Sequence, residues 1–156
     1  MSEIYEMAGH LIRRLNQIST AIFAERMAAL GVELTSVQFA ALSTIRENPG
    51  IDQATLAGAI AYDKATIGGV VDRLAAKGLI LRTRSRTDGR ARALSTTAEG
   101  EALLERTRPV VLALQDDILA GLDTAERAQI MALLTKTTEA GNTRSRAPLV
   151  RRSGSG

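Results

Sequence analysis

One change of period constrains this chain more than any other feature. Before Leu79 and again after Thr96 the apolar residues recur at helical spacing. Between them, "LILRTRSRTDGRARALS" (Leu79–Ser95) alternates residue by residue about a single Asp88–Gly89 pair. Ile80, Arg82, Arg84 and Arg86 share one side of the outgoing strand. Asp-Gly is among the strongest short signals for a tight hairpin turn, and "RARALS" returns as the second strand. A chain that is otherwise helical therefore carries one two-stranded arm. Arg82, Arg84, Arg86, Arg90 and Arg92 all lie on that arm. Their mutual repulsion costs stability unless something anionic lies against them.

The flanking segments read as helices. The first is predicted from near Glu3 to Leu30, with Met7, Leu11, Leu15, Ile18 and Ile22 at helical spacing and Gly31 as its stop. Thr35 with Gln38 fits a capping box for a second helix, which carries Phe39, Leu42 and Ile45 and ends at Pro49–Gly50. Asp52 is the expected N-cap of a short helix reaching about Ala59. Asp63 is the expected cap of a further helix to Lys77, where Ile67, Val70, Val71 and Leu74 mark one buried face. Gly78–Leu79 reads as a glycine stop with its hydrophobic contact. After the arm, Thr96 with Glu99 is expected to cap a long helix to about Gly121, bent at Pro109. Asp123 with Glu126 is expected to cap a last helix to about Ala140, with Ile130, Leu133 and Leu134 on its face. Residues 141–156, "GNTRSRAPLVRRSGSG", read as a disordered basic tail.

Composition narrows what such a chain does. Only 3% of residues are aromatic and Trp is absent, so the core is built from Ala, Leu, Ile and Val. The absence of cysteine excludes disulfides and thiol chemistry, and the single histidine, His10, excludes a histidine-rich metal site within one chain. No cofactor motif, phosphate loop or nucleophile–base pattern is found, so the chain is not read as an enzyme. The N-terminus lacks an apolar signal core and no run spans a membrane, which predicts a soluble, cytoplasmic protein without a membrane partner. Net charge is only +3 but unevenly spread. Asp63–Arg92 holds eight Lys/Arg against three Asp, a balance of +5; Gly141–Gly156 holds four Arg and no acid; everything else sums to −6. A basic middle on an acidic body suits a protein that presents one face to a polyanion.

The order α-α-α-α-β-β-α-α, mainly α with a small β-hairpin wing, is that of a winged helix-turn-helix. Residues 35–96 form the expected DNA-binding domain, and 1–34 with 97–140 the dimerisation helices. A helix fits the major groove, and a basic arm reaches the neighbouring minor groove. Lys64, Ala65, Thr66 and Arg73 are the side chains left for base readout on the second helix of the motif. Gly68 and Gly69 lie on its exposed face, and two readings stand for them: close approach of the backbone to DNA, or close helix–helix packing. Arg82, Arg84, Arg86 and Arg92 are expected phosphate contacts.

"YDKATIGGVVDRLAAKGLI" followed by "DGRARALSTTAEG" resembles the MarR-type transcriptional regulators, over roughly residues 5–140. The resemblance rests on Asp88 and Arg90, on "DRL" at Asp72–Leu74, and on Thr97 with Gly100. It implies a dimeric winged-helix protein in which Arg90 enters the minor groove and Asp88 braces the wing; the plain alternative for Asp88 is an ordinary turn residue. Gly89 departs from the larger residue that the family often has between the wing Asp and Arg.

The apolar stripes Leu11/Leu15/Ile18 and Ile130/Leu133/Leu134 need more partner surface than one small domain supplies. A second copy is the simplest source, and a two-fold dimer reads an inverted-repeat operator. The resemblance further implies a small anionic aromatic effector held between dimerisation helices and DNA-binding domain. His10, Arg14 and Gln17 lie at i, i+4 and i+7 beside the apolar stripe, and Phe39 or Tyr62 adds aromatic contact. For His10 the plain alternative is a packed or solvated histidine. The combination is similar to regulators of aromatic-acid degradation of the nicotinate type. The function expected is a sequence-specific repressor released from DNA by an aromatic carboxylate. The rival readings are a ligand-independent DNA-binding or architectural protein and a helical adaptor without DNA affinity.

Overall fold

The computed structural model describes residues 2–84 and 92–152. Six helices and one hairpin follow in the expected order: α1 (Ala8–Ala29), α2 (Ser36–Glu47), α3 (Gln53–Ala59), α4 (Ile67–Ala76), β1 (Ile80–Arg84), β2 (Arg92–Thr96), α5 (Ala98–Ile118) and α6 (Thr124–Ala140). No helix of the described chain is long and apolar enough to cross a membrane.

Local chemistry sets most boundaries. The Thr35 hydroxyl accepts from the Gln38 N–H at 3.1 Å while the Thr35 N–H donates to Gln38 Oε1 at 3.2 Å, so the predicted capping box starts α2. Asp52 caps α3 through the Thr55 N–H at 2.8 Å, and Asp123 and Glu126 form a second complete box at α6. α4 ends as expected. Gly78 takes φ +73°, its N–H bonds Ala75 O, and the Leu79 N–H reaches back to Leu74 O at 3.0 Å while Leu79 is buried.

Four boundaries differ from the sequence reading. The first helix is broken: Glu3–Glu6 form a 3-10 turn and extended Met7 separates it from α1. α4 begins at Ile67 rather than after Asp63, because the Asp63 carboxylate bonds the Ala65 N–H at 2.8 Å and closes a turn of its own. The cap of α5 is Thr97, not Thr96. The Thr97 hydroxyl accepts from the Gly100 N–H at 3.0 Å, while Thr96 still belongs to β2 and its hydroxyl donates to Glu101 at 2.6 Å. α5 also stops at Ile118, short of Gly121.

The hairpin pairs antiparallel with Ile80 opposite Thr96, Arg82 opposite Leu94 and Arg84 opposite Arg92. Ile51 adds a one-residue bridge to Leu94, which ties the α2–α3 loop to the wing. One core cluster fills the winged unit: Leu42 and Ile45 of α2, Leu56 of α3, Val71 and Leu74 of α4, and Leu94 of β2. Phe23 and Met27 from the end of α1, and Leu104, Val111 and Leu114 of α5, close it from above. At the junction, the Thr97 hydroxyl donates to Gly78 O at 2.6 Å and its N–H bonds Leu79 O at 3.0 Å. A Cβ on Gly100 would run into that Leu79 carbonyl, which is why only glycine fits there.

The remainder is open. No residue of α6 is buried, and Ile12, Ile18, Leu112, Met131 and Leu133 are exposed. Between α1, α5 and α6 lies an apolar hollow of about 620 Å³, edged by Leu15, Ser19, Ile118 and Arg127. The tail expected to be disordered makes specific contacts up to Arg152. Residues 142–144 form a 3-10 turn, and the chain then lies along α3, with the Val150 N–H donating to Gly58 O at 2.8 Å. Composition foretold no secondary structure there; order comes instead from tertiary contacts that no local pattern announces.

Candidate nucleic-acid interface and effector crevice

The exposed side of the helix-turn-helix begins at Ala61, which takes φ +53° and turns the chain out of α3. Asp63 then organises the next four residues. Its carboxylate holds the Ala65 N–H, and its carbonyl accepts from the Thr66 N–H at 3.1 Å, the Ile67 N–H at 3.0 Å and the Thr66 hydroxyl at 3.2 Å. Lys64, Ala65 and Thr66 are thereby presented, exposed, on a rigid turn just ahead of α4. Arg73 is exposed one turn before the helix ends.

Gly68 and Gly69 separate in the structure. A Cβ on Gly68 would lie 3.4 Å from the Gln53 amide of α3, and one on Gly69 would meet only Arg73 of its own helix, at 3.7 Å. Both are ordinary contact distances, so helix packing does not demand glycine at either position. Gly69 is open to solvent and Gly68 is half-buried.

The wing joins this surface through an ion pair. Arg82 Nη1 donates to Asp72 Oδ1 of α4, so the side of the hairpin that carries Ile80, Arg82 and Arg84 is turned toward the recognition helix. The pair is well exposed and worth at most about 1 kcal/mol, but it fixes direction. Arg82 thus braces the wing and is less free to meet phosphate than the sequence suggested. Asp72, expected only as part of a motif, is the missed partner. Arg84 and Arg92 lie directly opposite each other, both exposed. Like charges across a ladder are destabilising unless a counter-charge covers them. Arg86, Asp88 and Arg90 lie outside the described residues.

A second latch fixes α4 from behind. Lys77 Nζ donates to the Glu33 carbonyl and, at 3.2 Å, to Gln38 Oε1, the side chain that also completes the α2 capping box. Gln38 is buried, so the far end of the recognition helix is tied to the start of α2.

The residues expected to hold an effector are not gathered within one chain. His10 is half-buried on α1; its ring meets Tyr5 edge-on at 5.7 Å, Arg13 Nη2 donates to Nδ1 at 3.3 Å, and Nε2 is buried with no partner among the described residues. Arg14 and Gln17 are exposed on the same helix. Phe39 instead stacks edge-on with Phe23 at 6.3 Å, and Tyr62 packs partly buried on the core beside the α3–α4 turn. Phe23 is about 20 Å further along α1 than His10 at 1.5 Å per residue. Tyr5, which touches His10, was missed by spacing arguments because it belongs to the separate 3-10 turn.

Comparison with known proteins decides the family. The MarR family model matches residues 34–91. The HTH-type transcriptional repressor NicR of Pseudomonas putida is 36% identical over 134 residues, covering 86% of this chain and 84% of that protein. The chain belongs to the MarR family. Among solved structures, the PcaV transcriptional regulator of Streptomyces coelicolor in complex with its natural ligand superimposes with TM-score 0.81 at 30% identity, covering 90% of this chain and 98% of that one. BpsR of Bordetella bronchiseptica, whose DNA binding is regulated by 6-hydroxynicotinic acid, superimposes with TM-score 0.75 at 33% identity over 83% of this chain and 97% of its own. The MarR-type motif residues now have physical roles: Asp72 anchors Arg82, and Thr97 with Gly100 makes the strand-to-helix knot.

Proposed function

We propose that this MarR-type regulator acts as a homodimeric repressor that binds an inverted-repeat operator and leaves it when a small aromatic carboxylate binds. The observation that carries the reading is the Arg84–Arg92 pair, which meets no acid among the described residues, on the side of the wing that Arg82 turns toward α4. Phosphate supplies a counter-charge to such a surface, and its binding releases counterions. Lys64–Thr66 enter the major groove at the start of α4, and Arg90 reaches the minor groove from the wing.

Effector chemistry follows from the other half of the chain. His10 offers a buried ring nitrogen without a partner among the described residues, next to Arg13 and Arg14 and an exposed apolar stripe. A ring bearing a carboxylate matches those groups. The crevice becomes whole only when a second subunit covers the exposed face of α1. Effector that fits one subunit arrangement better than another shifts the spacing of the two recognition turns, and the operator is released.

The test is duplex affinity, measured by fluorescence anisotropy on the chain's own promoter fragment, with and without 6-hydroxynicotinic acid and salicylic acid. Weakening of ten-fold or more by either acid, a coupling of about 1.4 kcal/mol, is the expected result. Affinity that no aromatic acid changes would leave ligand-independent DNA binding as the function.

A further inference from the structure

The basic segment after α6 has no part in the proposed function. It is held at several points. The Asn142 side chain accepts from the Leu149 N–H at 2.8 Å and donates to Leu149 O at 2.9 Å, which folds the segment into a loop. The Val150 N–H bonds Gly58 O at 2.8 Å, and the Val150 side chain covers Gly58 so closely that a Cβ there would come within 3.1 Å of it. Arg146 pairs with Asp63, the residue that organises the recognition turn. Arg152 donates to Asn48 Oδ1 at 2.9 Å, at the end of α2. The segment is thus a strap laid from α6 across α3.

The strap delivers charge to a particular place. Arg151 and Arg152 share one open hollow with Lys64, over Thr55 and Gly58. Residues 141–152 contain four arginines and no acid. Among the described residues, the acids that meet strap arginines are Asp63 and Glu139. The Arg151–Glu139 pair, 2.7 Å apart, has side chains 70% and 55% exposed. Pairs this exposed contribute about 0–1 kcal/mol, too little to keep the cations from a polyanion.

We propose that the C-terminal strap is a clamp for the DNA backbone: Arg151 and Arg152 extend the phosphate-contacting surface from Lys64 across the outer side of α3. The inference rests on the duplex binding proposed above. Continuity with Lys64 and the absence of any acid within the strap favour nucleic-acid phosphate over a small anion, because the hollow is open instead of enclosing a site. Contacts of this kind hold register and carry no sequence information. They therefore strengthen binding to all duplexes alike.

The test uses the intact chain and a fluorescein-labelled duplex of random sequence, with affinity followed against salt concentration. R151Q/R152Q is expected to lower the slope of log affinity against log salt by about 1.8 for each bound subunit, from about 0.9 per lost phosphate contact. It should weaken random and promoter duplexes by the same factor. R151K/R152K, which retains charge, should keep the parent slope. A glutamine variant with the parent slope, or a lysine variant as weak as the glutamine one, overturns the clamp; the second result would assign the arginines to packing. A parent chain that binds no duplex at low salt overturns both this inference and the function it rests on, whereas a binding parent with an unchanged glutamine variant overturns the clamp alone.

Discussion

Two regions of one chain treat the same residue types in opposite ways. In the winged unit, Leu42, Leu56, Leu74 and Leu94 are 0% exposed, each covered by neighbours in its own subunit. In the arm made by the start of α1 and all of α6, Ile12 is 62% exposed and Leu133 63%. Burial is worth about 25 cal/mol per Å² of apolar surface, so the first region is stabilised within one chain and the second is not. The geometry of the Lys64–Thr66 turn and of α4 is fixed locally, by Asp63 at one end and by Lys77 and the Gly78 stop at the other. The geometry of the arm is fixed by whatever covers it. Under the proposed function, two such units on an arm completed by a second copy would change their separation without either one melting.

Substitutions that sort the two regions should separate widely. Leu74→Ala removes a fully buried side chain from the centre of the winged core and should cost about 2–5 kcal/mol, read by urea unfolding. Leu133→Asp should leave the winged unit folded but yield single chains in sedimentation, with a melting temperature that no longer rises with protein concentration. If Leu133→Asp instead unfolds the chain as Leu74→Ala does, or stays dimeric, the contrast between a finished unit and an unfinished arm is wrong.

Where order comes from local chemistry, the sequence was readable. Thr35 with Gln38, Asp52, and Asp123 with Glu126 each cap the helix expected of them, and Gly78–Leu79 stops α4, because each needs only atoms within a few residues. Misreadings arose where two local options competed. Asp63 can cap a helix or close a turn, and the turn won; Thr96 and Thr97 are both capping residues, and the strand kept Thr96. The strap was illegible because Asn142 reaches seven residues ahead and Val150 bonds a glycine far back in the chain. The Arg82–Asp72 brace was half legible: both residues were singled out, but only the fold makes them meet. His10 was singled out by spacing, but its contacts with Tyr5 and Arg13 could be read only from the fold.

Asp52 offers a smaller test of how local the winged unit is. Burial alone raises its carboxyl pKa, but hydrogen bonds from the Thr55 N–H and hydroxyl and from the Ala54 N–H outweigh it and hold the value below the ordinary carboxylate range. A depressed folded value means that the contribution is complete above the unfolded value, near 3.9, and is lost as pH falls through the folded one. Asp52→Ala should cost about 0.5–2 kcal/mol at neutral pH. Asp52→Asn should retain most of the cap and flatten the acid limb of stability below about pH 4. Parent and Asn variants with the same acid limb would show that other carboxylates set it.

The finest distinction is between the two glycines of α4, because there stability and function should move in opposite directions. Gly69 is exposed, helical and free of neighbours except Arg73, so Gly69→Ala meets no clash and should stabilise the helix by about 1 kcal/mol. If the backbone at Gly69 approaches the duplex, the added methyl stands where DNA must come, and affinity should fall although the protein melts later. Gly68→Ala is the control. Its methyl would face Gln53 of α3, inside the subunit, and should change melting without a matching loss of affinity. Opposite signs for melting and binding at Gly69, and not at Gly68, would place the DNA-approach side of α4 to within one residue. A Gly69→Ala variant that is more stable and binds as tightly as its parent would remove backbone approach as the reason for glycine, and would shift the work of recognition to the Lys64–Thr66 turn and the wing.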